Sequence, residues 1–372
     1  MKIILTNRLV ALSGLVLLLA SCRKNSDKPP VNTVPPPTIY VLGTDGDTIK
    51  YWKNGVPVKL GNISSGIHYN SISASGTDLY FAVSANAIGL IDVDTAKYWK
   101  NGVTTTLPDT TGSAYAGSLY VSGNDVYVAG IQNSRSRAYT YATYWKNGVA
   151  FSLPCGGISG GSGYPTTYDD YVSSIFVSGT DVYVAGGSHV YQMGVDSTYR
   201  FARYWKNGVP TELTKGLAGV SSLTGTTSYP TTTSIAASGS DVYVSGYEWG
   251  GTYGQTTAIY WKNGLVHFLT DSLSGSSANT VAVSGNDVYV GGYANINRIS
   301  YATIWKNGVA SQLTTGTGGS SVMAVFVSGS DVYAVGWENI NGYSIAKYWK
   351  NGVSTNLSNG TNRAEATSVY VL

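Results

Sequence analysis

Two short motifs that recur along this 372-residue chain predict an all-β fold built from seven similar four-stranded units. Trp-Lys-Asn-Gly occurs seven times at intervals of 44 to 60 residues, and Ser-Gly-x-Asp followed by an apolar-Tyr run occurs six times. Repeats of about this length are typical of propellers and solenoids. The chain also has two incomplete ends that complement each other, which favours a closed ring. These observations predict a seven-bladed β-propeller with four antiparallel strands per blade.

The motifs lie at regular places in the repeats. The Trp-Lys-Asn-Gly copies begin at Trp52, Trp99, Trp145, Trp205, Trp261, Trp305 and Trp349. The Ser-Gly-x-Asp copies end at Asp78, Asp125, Asp181, Asp241, Asp287 and Asp331. We expect the Trp side chains to pack between blades, the Asp side chains to cap their own turns and the Lys side chains to be solvated.

Composition agrees with β-structure and argues against several kinds of partner. The chain holds 46 Gly and 30 Tyr, and only 12% of its residues are charged. Such a chain favours strands joined by tight turns. The formal net charge of +3 gives no basic face for nucleic acid. Because no His-Glu-x-x-His or Cys-x-x-Cys pattern occurs, we predict neither a metal site nor a cofactor.

The first 21 residues predict a signal peptide. Lys2 and Arg8 form a basic start, and the 11 residues from Leu9 to Leu19 are apolar. This run is too short to span a bilayer and has the length of a signal-peptide core. It ends in Leu19-Ala20-Ser21-Cys22, which resembles the lipobox of bacterial lipoproteins. The resemblance implies cleavage before Cys22 and acylation of that residue, with palmitate or a similar chain, so that the lipid bilayer is a partner.

Residues 22–37 predict a stiff tether between the lipidated Cys22 and a propeller at residues 38–372. The segment ends in Pro35-Pro36-Pro37, and Pro-rich segments favour extended polyproline II. Arg23 stands where an Asp signals inner-membrane retention in lipoproteins of many Gram-negative bacteria. The lipoprotein resemblance therefore implies an outer-membrane anchor, on either the periplasmic or the surface side, or the cell membrane of a Gram-positive source.

Each unit divides into four strands, as the unit around Trp205 illustrates. Apolar segments at 174–177 and 182–185 flank a Ser-Gly-x-Asp turn and predict a hairpin. A third strand ends at Trp205-Lys206, and Asn207-Gly208 predicts a type I′ turn because both positions need φ > 0. The fourth strand, 209–213, contains Pro210, so we expect it at the outer edge of the blade.

The two ends of the repeated region explain how the ring closes. Thr38–Val41 matches a second strand, and no first strand precedes it in the repeated region. Thr367–Val371 matches a first strand, and no second strand follows it. The C-terminal strand therefore supplies what the first blade lacks. The whole pattern resembles bacterial seven-bladed β-propeller repeat families, in which an x-Asp-x-Tyr-Val-x-Gly strand recurs once per blade.

Strand direction predicts which face binds a ligand. The Ser-Gly-x-Asp and Asn-Gly turns share one face, here called the turn face, and the long irregular connections share the opposite loop face. Binding residues usually lie on loops carried by a rigid scaffold, so we expect the site on the loop face. Aromatic rings beside Asn, Asp and Glu suit sugar rings or extended peptides. The candidate ligand-binding residues are Tyr168, Asp169, Asp170, His189, Tyr191, Tyr247, Glu248, Trp249, Tyr293, Asn295, Trp337 and Glu338.

The sequence thus predicts a membrane-anchored, non-catalytic binding propeller that recognises a glycan or another envelope or extracellular ligand. Two alternatives stay open: a protein-interaction scaffold in an envelope complex, and a carbohydrate-active enzyme. The enzyme would need two carboxyl groups about 5–10 Å apart. Asp169, Asp170, Glu248 and Glu338 are the candidates for that pair.

Overall fold

The computed structural model describes residues 36–86, 94–134, 139–154, 166–192, 198–213, 229–250, 255–271 and 275–372. Within these ranges the chain forms 28 β-strands and one 3-10 turn, Ile63–Ser65. No helix in this part of the chain is long and apolar enough to cross a membrane. The predicted signal peptide, Cys22 and most of the tether lie outside the described residues.

The strands follow the sequence repeats in chain order. Repeat 1 contains β1 (Ile39–Asp45), β2 (Thr48–Lys53) and β3 (Val56–Asn62). Repeat 2 contains β4 (Ile67–Ser75), β5 (Asp78–Asn86), β6 (Asp94–Lys100) and β7 (Val103–Thr106). Repeat 3 contains β8 (Ala114–Ser122), β9 (Asp125–Asn133), β10 (Thr140–Lys146) and β11 (Val149–Ser152). Repeat 4 contains β12 (Thr166–Ser178), β13 (Asp181–Gln192), β14 (Thr198–Lys206) and β15 (Val209–Glu212).

The remaining strands continue the same order. Repeat 5 contains β16 (Tyr229–Ser238), β17 (Asp241–Gly250), β18 (Gln255–Lys262) and β19 (Leu265–Phe268). Repeat 6 contains β20 (Ser277–Ser284), β21 (Asp287–Ile296), β22 (Ile299–Lys306) and β23 (Val309–Gln312). Repeat 7 contains β24 (Ser320–Ser328), β25 (Asp331–Ile340), β26 (Tyr343–Lys350) and β27 (Val353–Asn356). The last strand, β28 (Ala364–Val371), pairs antiparallel with β1 and gives repeat 1 its fourth strand.

The predicted all-β class and four-stranded antiparallel arrangement are confirmed. Repeats 1, 2, 5, 6 and 7 each form a separate four-stranded sheet. Repeats 3 and 4 belong to one eight-stranded sheet, in which a parallel contact between Thr140 and Asp169 joins two such sets of four. The short fourth strands lie at the outer ends and are largely exposed, as their polar sequences predict.

Buried side chains form seven clusters among the described residues, and each cluster is shared by two neighbouring repeats. In one of them Trp145 of repeat 3 packs against Tyr80 and Leu107 of repeat 2. Trp52 of repeat 1 packs in the same way against Tyr333 of repeat 7. The prediction that the repeated Trp residues pack between repeats is therefore confirmed, since six of the seven are fully buried and Trp99 is half-buried.

The Asn-Gly pairs adopt the predicted turn. In all seven copies the Asn has φ between 46° and 51° and the Gly has φ between 80° and 95°. These are the left-handed conformations that a type I′ hairpin requires. The third and fourth strands of every repeat are therefore joined by the same two-residue turn.

Each Asp of the Ser-Gly-x-Asp motif bonds to the neighbouring Asn-Gly turn instead of capping its own. In repeat 3 Asp125 Oδ1 accepts a hydrogen bond from Asn147 Nδ2 at 2.7 Å, and Asp125 Oδ2 lies 2.9 Å from Lys146 Nζ. The Lys146 ammonium group lies 5.2 Å from the centre of the Tyr127 ring. The bonds from Asn147 and Lys146 lower the pKa of the Asp125 carboxyl. Repeats 2 to 7 all carry this Asp–Asn–Lys arrangement, which ties two hairpins together on the turn face.

Every first strand contains one β-bulge at the same position. In repeat 3 Ala116 pairs with Gly130 and Ser118 pairs with Ala129, which leaves Gly117 without a partner in the ladder. A bulge of this kind redirects the side chain of the extra residue. The extra residues line an axial cavity of about 430 Å³ that is bounded by the first strands of all seven repeats. They are Asn70, Gly117, Ser173, Thr233, Asn279, Met323 and Thr367.

Candidate functional site

Side chains from repeats 4 to 7 line a solvent-open cavity of about 870 Å³ on the loop face, here called the aromatic cavity. Its described lining residues are Arg200, Tyr247, Trp249, Thr256, Ser277, Asn279, Tyr293, Ser321, Met323 and Trp337. A volume of this size is typical of small-molecule sites.

Equivalent positions in successive repeats bring three of the aromatic rings together. Tyr247, Tyr293 and Trp337 each lie six residues after the motif Asp of their own second strand. Tyr293 pairs with Ser277, and Trp337 pairs with Ser321, so an aromatic ring and a hydroxyl lie side by side in repeats 6 and 7. Repeats 2, 3 and 4 carry Ser, Ile and Gly at this position, so the aromatic rings at this strand position come from repeats 5, 6 and 7.

Trp249 extends the aromatic surface outward. It lies two residues beyond Tyr247 on β17, and alternation along a strand places both side chains on the same side. The Trp249 side chain is 42% exposed, whereas Trp337 is half-buried. The cavity thus offers one accessible indole at its rim and one that is held more firmly inside.

The floor of the aromatic cavity is a fixed polar group. The Asn279 side chain accepts a hydrogen bond from Ser277 Oγ at 2.9 Å and donates to Ser321 Oγ at 3.0 Å and to the Val322 carbonyl oxygen at 2.8 Å. These contacts join repeats 6 and 7 and hold the amide in one orientation. Asn279 and Met323 also line the axial cavity, so the aromatic cavity adjoins its loop-face end.

One positive charge lies at the repeat 4 side of the aromatic cavity. Arg200 on β14 pairs with His189 on β13, which in turn pairs with Asp169 on β12. The His189 ring lies 5.6 Å from the ring of the half-buried Tyr171. Burial and the nearby Arg200 guanidinium lower the pKa of His189, so its imidazole is neutral near pH 7. Burial likewise raises the pKa of Tyr171.

Four of the candidate residues, Tyr247, Trp249, Tyr293 and Trp337, line the aromatic cavity. Asp169, His189, Glu248 and Asn295 are half-buried and do not line it. The Asn295 backbone N–H donates to Ser276 Oγ at 3.1 Å. Tyr168 and Tyr191 lie in paired strands, but their side chains fall outside the described part of the chain.

Two of the candidate carboxylates are buried in the protein. Asp170 is 6% exposed, accepts a hydrogen bond from Ser188 Oγ at 2.6 Å, and has a pKa raised by burial. Glu338 is 9% exposed and forms an ion pair with Lys347. Glu338 follows Trp337 on β25, and successive side chains on a strand point to opposite sides. The sequence predicts both acids as ligand-binding residues, whereas in the structure their side chains are buried and bond to Ser188 and Lys347.

The cavity lining bears on the enzyme alternative. None of Asp169, Asp170, Glu248 and Glu338 is among the described residues that line the aromatic cavity. Within the described ranges no group of three or more His, Cys, Asp and Glu residues is placed to hold a metal ion. The described lining therefore offers aromatic faces, hydroxyls, an amide and a guanidinium, which are groups that bind and orient a ligand.

Sequence reasoning missed six lining residues: Arg200, Thr256, Ser277, Asn279, Ser321 and Met323. Ser277 and Asn279 alternate on β20, as Ser321 and Met323 do on β24, and this spacing was the available signal. The residues of β20 and β24 do not themselves reveal the bulge that turns Asn279 and Met323 toward the axis. Arg200 enters the cavity from a repeat that supplies none of the described aromatic lining residues.

Comparison with known proteins identifies the architecture. No protein-family model matches the chain, and no curated protein matches its sequence. The β-propeller domain of the Trilobed protease from Pyrococcus furiosus, described as having an open velcro topology, aligns at 12% identity with a TM-score of 0.51. The alignment covers 87% of this chain and 92% of that one. The chain folds as a β-propeller.

Two further propeller-containing structures are similar to this propeller. Pyrococcus horikoshii acylaminoacyl peptidase aligns at 11% identity with a TM-score of 0.50, covering 87% of this chain and 50% of that one. Trypanosoma rangeli sialidase in complex with sialic acid aligns at 11% identity with a TM-score of 0.43, covering 90% of this chain and 59% of that one. The propeller thus spans about half the length of the peptidase. At these identities the likeness concerns the fold alone.

Proposed function

We propose that the chain is a seven-bladed propeller, closed by β28, whose aromatic cavity binds a saccharide. The blade count is supported by the first strands, since β28 contacts both β24 and β4. It is supported equally by the seven clusters, which join repeat 1 to repeat 2 and so on until repeat 7 meets repeat 1. Each repeat is then one blade of the ring.

The observation that carries the saccharide proposal is the convergence of two Trp and two Tyr rings around fixed hydroxyl and amide groups. The flat face of an aromatic ring covers the C–H surface of a pyranose, and oriented polar groups bond its hydroxyls. Asn279, held by Ser277 and Ser321, is oriented before any ligand arrives. Such preorganisation reduces the entropy lost on binding.

The proposed lipid anchor fits this location of the site. The Ile39 backbone N–H donates to Asn54 Oδ1 at 2.8 Å, so the propeller begins beside an Asn-Gly turn on the turn face. Acylation of Cys22, with residues 23–37 as tether, would then attach the propeller by a chain that enters it on the face opposite the aromatic cavity.

The test is a glycan-array screen followed by calorimetry on the full-length, detergent-solubilised protein. Trp337→Ala and Trp249→Ala each remove an aromatic face worth about 1.5–3 kcal/mol when buried by a ligand, so we expect affinity to fall about ten-fold or more. Melting temperatures should change little, because neither indole is among the fully buried side chains.

The matched control is Tyr343→Ala. Tyr343 is an aromatic residue near the loop end of β26, is 50% exposed and is not among the described residues that line the aromatic cavity. We expect this variant to bind saccharide as the parent does. The proposal would be overturned if the folded parent protein bound no saccharide on the array. It would also be overturned if the Trp variants bound saccharide as tightly as Tyr343→Ala does.

A further inference from the structure

We infer that the aromatic cavity selects saccharides that carry carboxylate groups, through Arg200. The inference rests on the proposed saccharide function and names the class of sugar. Among the described residues that line the cavity, Arg200 is the one that carries a charge. A guanidinium stays protonated at any physiological pH, so that charge is permanent.

No carboxylate is among the described residues that line the cavity, and Glu248, between Tyr247 and Trp249 in the sequence, also lies outside that lining. Glu338, next to Trp337, is neutralised by Lys347 inside the fold. Asp170 is buried and bonded to Ser188. Asp169 lies two strands from Arg200, with His189 between them, and does not line the cavity. A ligand carboxylate entering the cavity therefore meets the guanidinium without a carboxylate in the described lining to repel it.

Guanidinium geometry favours a carboxylate over a sugar hydroxyl. The planar fork presents five N–H donors, and a carboxylate can accept two of them in parallel. Because there are five donors, Arg200 can bond a ligand while also bonding within the protein. Charge-assisted hydrogen bonds of this kind are about twice as strong as neutral ones.

The order of the repeats predicts the orientation of a bound ligand in the cavity. Arg200 comes from repeat 4 and Trp337 from repeat 7, with Tyr247 and Tyr293 between them. Because consecutive repeats are neighbours, the charge and Trp337 lie toward opposite ends of the aromatic cavity. An oligosaccharide that spans the cavity would place a uronic acid at Arg200 and stack its other rings on the aromatic residues.

The experiment compares matched acidic and neutral ligands. Trisaccharides of galacturonic, glucuronic and mannuronic acid, and the same trisaccharides with each carboxyl reduced to a hydroxymethyl group, are titrated into the full-length protein at low salt. We expect at least one acidic trisaccharide to bind about ten-fold more tightly than its reduced form. Raising the salt concentration should reduce that preference.

Variants of Arg200 then assign the preference to its side chain. Arg200→Gln should weaken binding of the acidic trisaccharide about ten-fold and leave binding of the reduced form unchanged. Arg200→Lys, which keeps the charge and loses the fork, should give an intermediate affinity. Arg298→Gln is the matched control, because Arg298 is an exposed residue in the β21–β22 turn on the same face.

The outcomes separate this inference from the proposed function. If reduced trisaccharides bind as tightly as acidic ones, or if the preference survives in Arg200→Gln, the inference fails and saccharide binding stands. If no trisaccharide of either kind binds the folded protein, the inference is overturned, while the proposed function is decided separately by the glycan-array screen. A preference lost in Arg200→Gln and kept in Arg298→Gln supports the inference.

Discussion

At the scale of the residue, the Asn of each Asn-Gly pair has two separate roles. Its backbone adopts φ near 50°, a conformation that Asn tolerates better than most residues. Its side chain bonds the preceding hairpin: Asn147 Oδ1 accepts from the Val126 backbone N–H at 2.8 Å, while Asn147 Nδ2 donates to Asp125. Both roles are repeated in blade after blade, which explains why this dipeptide recurs in the sequence.

Replacing Asn147 separates these two roles. Asn147→Ala should destabilise the protein by about 1–2 kcal/mol from the left-handed conformation alone, in addition to the lost hydrogen bonds. Asn147→Gly loses the same hydrogen bonds without the conformational cost, so it should be the milder change. Urea denaturation of both variants measures the difference. Equal destabilisation would show that the turn conformation contributes nothing.

The residue scale also explains why some candidates do not line the aromatic cavity. Trp337 and Glu338 are adjacent on β25, yet the first lines the cavity and the second forms an ion pair with Lys347. Successive side chains on a strand point to opposite sides. A run of polar and aromatic residues in the sequence is therefore divided between the two sides of the strand.

At the scale of the element, the bulge in each first strand explains the Gly of the second strand. A Cβ atom on Gly130 would lie 1.8 Å from the Tyr115 carbonyl oxygen, since the extra residue of the bulge pushes that carbonyl against the partner strand. Gly43, Gly186, Gly246, Gly292 and Gly336 are in the same situation, with a carbonyl oxygen at 2.0–2.1 Å. Repeat 2 carries Val83 at this position, and nothing in the structure explains the exception.

The bulge therefore predicts a sharp difference between two Gly positions. Gly130→Ala should destabilise the propeller by about 1–3 kcal/mol, because the methyl group overlaps the Tyr115 carbonyl oxygen and the backbone of the ladder must shift to make room. Gly61→Ala is the control, since a Cβ there meets no atom within 4 Å. Thermal melts of both variants test this expectation, and a Gly130→Ala protein as stable as Gly61→Ala would contradict it.

At the scale of the whole molecule, the C-terminal strand links the last repeat to the first strand of the propeller. β28 pairs with β1 along its length, and the Thr38 and Leu372 backbone groups exchange two further hydrogen bonds of 2.9 Å. The same strand buries Val369 and Val371 in the cluster between repeats 7 and 1. The attachment of β28 to β1 thus combines ladder hydrogen bonds with hydrophobic packing.

Deleting residues 364–372 should destabilise the entire propeller. Loss of Val369 and Val371 alone removes roughly 3–6 kcal/mol of burial, and β1 becomes an unpaired edge. We expect a large fall in melting temperature and aggregation of the truncated chain. A short peptide added after Leu372, which is 42% exposed, is the control and should have little effect. A truncated protein that melts like the extended one would show that closure does not stabilise the fold.

Local patterns in the sequence determined the strands, their turns, the outer position of the fourth strand and the complementary ends. These features depend on the φ values that an Asn-Gly turn requires and on the ladder hydrogen bond that Pro210 cannot donate. They also depend on the length of the repeat. Each can be read within a few residues, without knowing where the rest of the chain lies.

Only the tertiary structure decided which candidates share a cavity. Tyr247, Tyr293 and Trp337 meet because equivalent positions of neighbouring repeats are adjacent in space, and Arg200 joins them from a fourth repeat. Asp170 and Glu338 are buried because their side chains point to the side of the strand that packs inside the protein. The physical reason is the two-residue period of the strand together with the bulge, since a shift of one residue moves a side chain from one environment to the other.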